Sequence, residues 1–589
     1  MDNSRKTRRR IAASILGILL VVGLFVGRLV DIQVVRAEEL NTESLGKRSI
    51  TVTDYAARGS IVDTNGVVLA GSVDRYDITA SPRVIESTFA RKVVDGKKTT
   101  TIKVPFAQGV AELAEATGES EEDVRAALTA DPTSNHAYIA KKKTLKVLLA
   151  VQALKIPWVY SEVVPSRTYP NGAVAANLVG FMGKDGAQTG LELTQDSCLS
   201  NTNGSSVYER GSDGVRIPGS TVTTKASKAG GTLKLTVDSD FNYYVQQVVG
   251  KRAKELGADW ATAVVVRVED AHLMAVVDYP TVDPNNLNAA KRGALGSLAF
   301  STPYEPGSTM KPLTAASLID AGKITQTTHV VTPGRLAVEG GGSIKDSFVH
   351  GTINYTTGGV ITNSSNIGIS LLSKKLGVDD RRDYLLKFGL DQKTAVGFNG
   401  ESGGDVPETS RWDNITKYAI SFGQGMTTTS AQVASAYQAL GNDGVRLPLT
   451  LVEGCEMPDG TVTELPDTEG VRVVSESAAK QTVQMMENVV TQGWLSADLK
   501  IPGYRVAAKT GTAQIEEKGV YGDDYVISVA GMVPAENPEY VVVLTFGKPD
   551  TIKSSSAAAP TFTKIMTQLI KTFKVTPSTK PAPNIPQTW

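Results

Sequence analysis

Residues 11–27 read IAASILGILLVVGLFVG, a run with no charged side chain, set directly behind Arg5, Lys6, Arg8, Arg9 and Arg10. Arg28 can snorkel, and Leu29 and Val30 extend the apolar text. At about 1.5 Å per residue the segment is long enough to cross a bilayer core as a helix. A cleaved signal peptide is the competing reading. Its hydrophobic region usually spans about 7–15 residues, and the only cleavage-like stretch, Val35-Arg36-Ala37, is poor. The expectation is therefore a basic cytoplasmic tail at 1–10, an uncleaved plasma-membrane anchor at 11–30, and the rest of the chain on the far side. No second long apolar run follows, so the chain is expected to cross once.

A chain of 589 residues is too long for a single core and implies several domains. Lys plus Arg equals Asp plus Glu at 61 each, which leaves no basic excess to neutralise phosphates and argues against nucleic-acid binding. Two cysteines and four histidines, without an H-E-x-x-H, give no expected metal site and no cofactor.

From residue 49 to about 81 short β-rich runs alternate with turns, and Thr64-Asn65-Gly66 is a hairpin signal. A mixed, charged insertion follows at about 82–160, with helical stretches at 109–118 and 121–130. Glu121-Glu122-Asp123 reads as a solvated helix start. The Gly-, Ser- and Lys-rich text at 219–231 marks a boundary, which divides a first domain at 31–230 from a second at 231–575. The second opens with strands, runs through a mostly helical middle and returns to strands, an α+β pattern. The Pro-rich end, 576–589, reads as disordered.

Ser308 follows Pro306-Gly307 and stands one helical turn ahead of Lys311, in text that continues as a buried helix to Gly322. A hydroxyl and an amine at i and i+3 suit a nucleophile beside its base, and equally a plain helix start. Two further elements decide between them. Ser364 and Asn366 form an S-x-N, and Lys509-Thr510-Gly511-Thr512 end a strand-like run. Each is weak alone. In this order, on these predicted elements, the set is strong.

S-x-x-K, S-x-N and K-T-G together resemble the penicillin-binding proteins and serine β-lactamases. The chain is similar over residues 28–570 to the class B penicillin-binding proteins, monofunctional D,D-transpeptidases of bacterial cell-wall synthesis. Arg58-Gly59 with Asp63, then 167-RTYPNG-172 with 190-GLE-192, 422-FGQG-425 and the block at 526–544 all carry the resemblance; Thr64 departs where Arg is usual. It implies a transpeptidase domain, an antiparallel sheet plus a helical subdomain, on an elongated β-rich pedestal behind one transmembrane helix. The long pedestal, the lack of a polymerase domain and the Thr64-Asn65-Gly66 hairpin favour the division type over the elongation type.

The resemblance also implies roles. Ser308 attacks the penultimate D-Ala of a D-Ala-D-Ala stem peptide, with Lys311 as base. Ser364 relays a proton to the leaving amine, and Asn366 holds Lys311 and the substrate amide. Lys509, Thr510, Gly511 and Thr512 bind the terminal carboxylate. Backbone N–H groups of Ser308 and Thr512 form an oxyanion hole. Implied partners are stem peptides, β-lactams as inhibitors, a polytopic glycosyltransferase and division proteins. A D,D-carboxypeptidase or β-lactamase, a β-lactam sensor and a non-catalytic scaffold are the alternatives. The G-x-S-x-G at 400–404 has no following helix and is read as a loop, and His350 as a structural group. Cys198 and Cys455 face a compartment that allows a disulfide, but the boundary at 230/231 separates them, so their pairing stays open.

Overall fold

The computed structural model of the chain describes residues 2–95, 98–209, 217–289, 295–517 and 520–589. It holds two compact units, Met1–Ala57 with Asn201–Ala229, and Arg58–Ser200 with Gly230–Trp589.

In the first unit a helix, Asp2–Val30 (α1), continues as a π-type turn, Asp31–Val35. Leu16, Leu24 and Phe25 on it are 69%, 67% and 68% exposed, an apolar surface that only lipid or protein would cover favourably. It is the one helix among the described residues long and apolar enough to cross a membrane. The unit also carries an antiparallel sheet in which Gly204–Glu209 lies between Ser49–Asp54 and Val222–Lys225.

In the second unit the Thr64-Asn65-Gly66 hairpin forms as expected. Asp63 Oδ1 accepts from the N–H groups of Asn65 and Val67, both at 2.8 Å, and strand Ile61–Val62 turns back onto Val68–Ala80. Ile61–Val62 also pairs in parallel with Thr232–Leu235, which pairs in turn with Val452–Glu456. One sheet thus draws strands from either side of residue 230. Cys198 and Cys455 are both in this unit and are joined by a disulfide. The residues quoted for the pedestal signatures meet in a buried ion cluster. Glu192, fully buried, takes Arg58 Nε at 2.8 Å and Arg167 Nε at 2.5 Å, and Arg58 Nη1 reaches Asp196 at 2.6 Å. Removing one partner would strand a buried charge. The insertion forms a small core of its own around Trp158, Leu113 and Val110, with helices Phe106–Thr117 and Glu121–Thr129 close to their expected places.

The rest of this unit is built on a five-stranded antiparallel sheet: Trp260–Arg267 (β1), Leu273–Tyr279 (β2), Ala507–Glu517 (β3), Val520–Val533 (β4) and Tyr540–Gly547 (β5), in the order β2-β1-β5-β4-β3. Its helices are Ser239–Leu256 (α2), Lys311–Asp320 (α3), Thr357–Thr362 (α4), Asn366–Ser373 (α5), Ser430–Gly441 (α6), Glu476–Gln492 (α7) and Ala559–Thr572 (α8). Side chains alternate across a strand. Ala263 and Val265 of β1 pack with Val245 of α2 and Phe562 of α8, whereas Val264 and Val266 pack with Ala434 and Tyr437 of α6 and Leu313 of α3. Burial on both faces is why the strands read as unbroken apolar runs rather than alternating ones.

One expectation fails outright. The tail at 576–589 is packed, not disordered. Ile585 is 3% exposed in a cluster with Val360, Ile361 and Val489, and the Gln587 carbonyl accepts from Thr356 N–H at 3.0 Å. Composition predicts disorder when a segment cannot bury enough surface. Here a single isoleucine and the backbone carbonyls find partners that only the folded domain supplies.

Candidate active site

Ser308 lies not at a helix N-cap but in a 3₁₀ turn, Gly307–Met310, that feeds into α3 at Lys311. In such a turn residues i and i+3 eclipse, which sets Lys311 over Ser308 more directly than an α-helix would. Lys311 Nζ is 2.9 Å from Ser308 Oγ. Thr309 Oγ1 donates to Pro306 O at 2.8 Å and Tyr437 OH donates to Thr309 O at 2.7 Å, so sheet-backed α6 fixes the turn from beneath.

Ser364 follows α4 with a left-handed φ of 56°. A non-glycine residue there costs on the order of 1 kcal/mol or more and persists where contacts enforce it. The enforcing contact is Lys311, whose Nζ donates to Ser364 O at 2.6 Å. The same nitrogen is 3.0 Å from Ser364 Oγ and 2.7 Å from Asn366 Oδ1. Asn366 is aimed by its other end, Nδ2 donating to Lys345 O at 3.0 Å.

Lys509 comes from edge strand β3, in register with Ala530 of β4. Its Nζ donates to Ser364 Oγ at 3.0 Å and to Thr510 O at 3.1 Å. Gly511 allows β3 to lie against the Ser308 turn. A Cβ there would stand 2.4 Å from Ser528 Oγ and 3.0 Å from Pro306 O. Thr510 is buried beside it, and Thr512 is exposed, its Oγ1 accepting from Ser555 N–H at 3.3 Å. Every residue picked from the three motifs therefore lies in one constellation.

The electrostatics follow from burial. Lys311 and Lys509 are both 0% exposed. Burial pushes the Lys311 amine well below its ordinary value, the Lys509 charge pushes it further, and Asp346 pulls back. Burial alone brings Lys509 down to about 7. Four oxygens surround Lys311 Nζ; Ser364 O and Asn366 Oδ1 can only accept, so a neutral amine would give them its two hydrogens and leave its lone pair for a hydroxyl.

Sequence reasoning missed Asp346. Its Oδ1 accepts from Ile367 N–H at 2.9 Å, and its Oδ2 from Ser365 Oγ at 2.6 Å, with His350 Nε2 at 3.0 Å. It thereby caps α5 and holds the Ser364-Ser365-Asn366 loop, and His350 is the structural group expected of it. No short motif ties Asp346 to that loop; only the fold does. The 422–425 motif serves the turn from the other side, Gly425 N–H donating to Glu305 Oε1 at 2.7 Å.

The profile of the penicillin binding protein transpeptidase domain matches residues 261–567. The chain belongs to the penicillin-binding protein transpeptidase family. That of the penicillin-binding protein dimerisation domain matches residues 53–235, and a dimerisation region ahead of a transpeptidase domain is the class B arrangement. Among relatives, the penicillin-binding protein PbpB of Mycobacterium tuberculosis is 35% identical over 98% of this chain and 86% of its own length. The peptidoglycan D,D-transpeptidase FtsI of Escherichia coli is 29% identical over 95% of this chain and 91% of its own. Among solved structures, penicillin binding protein 3 of Mycobacterium tuberculosis complexed with aztreonam is 29% identical, with a TM-score of 0.68 over 90% of this chain and 99% of that one. A peptidoglycan synthetase of Bifidobacterium adolescentis gives 0.72 at 28% identity, over 92% and 100%.

Proposed function

We propose that the chain is a peptidoglycan D,D-transpeptidase that cross-links stem peptides in cell-wall synthesis at division and is acylated by β-lactams. The observation that carries it is Lys311, a buried amine within 2.9 Å of the Ser308 hydroxyl and 2.7 Å of Asn366 Oδ1. Ser308 Oγ attacks the carbonyl of the penultimate D-Ala while Lys311 Nζ takes its proton. The C–N bond breaks, and Ser364 Oγ passes a proton to the departing D-Ala amine, leaving an ester on Ser308. Backbone N–H groups of Ser308 and Thr512 hold the oxyanion, and Lys509 with Thr510, Gly511 and Thr512 holds the terminal carboxylate. The amine of a second stem peptide then attacks the ester, its proton leaves through Ser364 and Lys311, and Ser308 regains its hydroxyl. Asn366 orients Lys311 and the donor amide.

The relatives' printed names and the class B arrangement support this over the hydrolytic alternatives. In the same reading, α1 anchors the chain in the plasma membrane with its basic end in the cytoplasm, and it and the region behind it meet a polytopic glycosyltransferase. The deciding experiment supplies a D-Ala-D-Ala donor peptide to the full chain in detergent, with and without an acceptor peptide bearing a free amine. The expected result is a ligated dimer and faster D-Ala release when the acceptor is present. Release of D-Ala at the same rate with no ligated product would make it a carboxypeptidase.

Asp346→Asn tests the electrostatic part. Its negative charge raises the Lys311 amine, so removing it lowers that amine further. The acidic limb of the acylation rate should move to lower pH, read from rates of fluorescent penicillin labelling across a pH series. A limb that stays in place would mean that Asp346 acts only by capping α5.

A further inference from the structure

The docked tail touches both ends of the helix that delivers Ser364. Thr356, the N-cap of α4, donates from its N–H to Gln587 O at 3.0 Å and from Oγ1 to Pro586 O at 2.5 Å. Asn363, at the other end, donates from Nδ2 to Gln587 Oε1 at 2.7 Å. Gln587 Nε2 continues to Gln492 Oε1 at 2.8 Å, and Asn488 Nδ2 holds Ile585 O at 2.9 Å, both on α7. The room for this was made in the sequence: a Cβ on Gly359 of α4 would lie 1.9 Å from Gln587 O. A short helix with two adjacent glycines, Gly358 and Gly359, is intrinsically weak, since each costs roughly 1 kcal/mol relative to alanine. The residue after Asn363 is Ser364, held at a positive φ against both lysines.

The geometry points to Gln587 as a positioning residue for acyl transfer, with residues 584–587 forming a strap that sets α4, and through Asn363 the Ser364 hydroxyl, at its distance from Lys311 and Lys509. The strap rests on the reading of Ser308 as the acylated group. It touches neither substrate nor the reacting atoms, so it acts on the rate of the chemical step rather than on capture of the ligand.

The test follows acylation of the full chain in detergent by fluorescent penicillin over a range of concentrations, which separates the limiting rate from the half-saturating concentration. Gln587→Ala and a chain ending at residue 583 are compared with wild type. The limiting rate should fall by roughly 10- to 100-fold, the scale on which small misplacements act, with half-saturation unchanged. Gln587→Glu, which keeps the acceptor for Asn363, should recover most of it. Melting temperature is read alongside, and Gln587→Ala decides the matter if the shortened chain fails to fold. A labelled wild type with unchanged rates in Gln587→Ala overturns the strap alone. A loss of rate that merely tracks a loss of folded protein overturns it too. A wild type that takes no label overturns the Ser308 reading beneath it.

Discussion

Ser308→Ala should take no label from fluorescent penicillin, while the wild-type full chain, washed and followed beside it, should hold its label. Labelling needs a bond from Ser308 Oγ to the β-lactam carbonyl carbon, and alanine has no oxygen to form it. The variant should remain folded. Ser308 is half-buried and its hydroxyl meets the Lys311 nitrogen at 2.9 Å, so the change removes an atom without opening a cavity in the core. A cost within about 1 kcal/mol is expected. Persistent wild-type label reflects an ester that water attacks slowly, as a transpeptidase awaiting an amine requires. Label that turns over within seconds would instead mark a β-lactamase. Label retained by the variant would move the nucleophile elsewhere, and the sequence offers Ser402 in 400-GESGG-404. That serine is in a loop, its Oγ accepting from Gly404 N–H at 3.1 Å, with no helix behind it, so it is a poor candidate.

The grouping of the candidate site was legible in the sequence because its residues lie in short motifs. Ser308, Lys311, Ser364, Asn366 and Lys509 each come with neighbours that dictate local geometry: a turn after Pro306-Gly307, a loop before a helix, a strand end. What escaped depends on partners far along the chain. Asp346 aims the Ser364-Ser365-Asn366 loop through contacts no spacing rule connects. The tail reads as disordered because prolines and few apolar residues predict it, yet Thr356, Asn363 and Asn488 offer it a bed. The Cys198–Cys455 bond stayed open for a related reason. The compositional break near residue 230 reads as a domain boundary, but strand Thr232–Leu235 lies between Ile61–Val62 and Val452–Glu456, and so brings regions either side of that break into one sheet. Ser308 stands near the helix start, as its place after Pro306-Gly307 suggests, but the tertiary contact from Tyr437 to Thr309 holds that first turn as 3₁₀ rather than as an N-cap.

Lys311→Met should cut the acylation rate by about 10²- to 10⁴-fold, the span that a general base contributes. Methionine fills nearly the same buried volume, so the cost to the fold comes from Ser364 O and Asn366 Oδ1, which lose a donor at 2.6 and 2.7 Å. Each such loss is worth about 1–3 kcal/mol, offset by no longer burying an amine. The wild-type pH profile carries the same information without a mutation. In the proposed mechanism activity needs Lys311 neutral and Lys509 charged. Lys311 is pushed well below the usual lysine range and is driven further by the Lys509 charge, so it supplies the rising limb on the acid side. Lys509, at about 7 in the free protein, supplies the falling limb as it loses its proton and its hold on the substrate carboxylate. The rate of acylation at low penicillin concentration should therefore rise and then fall, with the descent near neutrality. A profile that climbs without turning, up to the range where free lysines titrate, would mean that Lys311 is charged at neutral pH and that the proton is taken by another group.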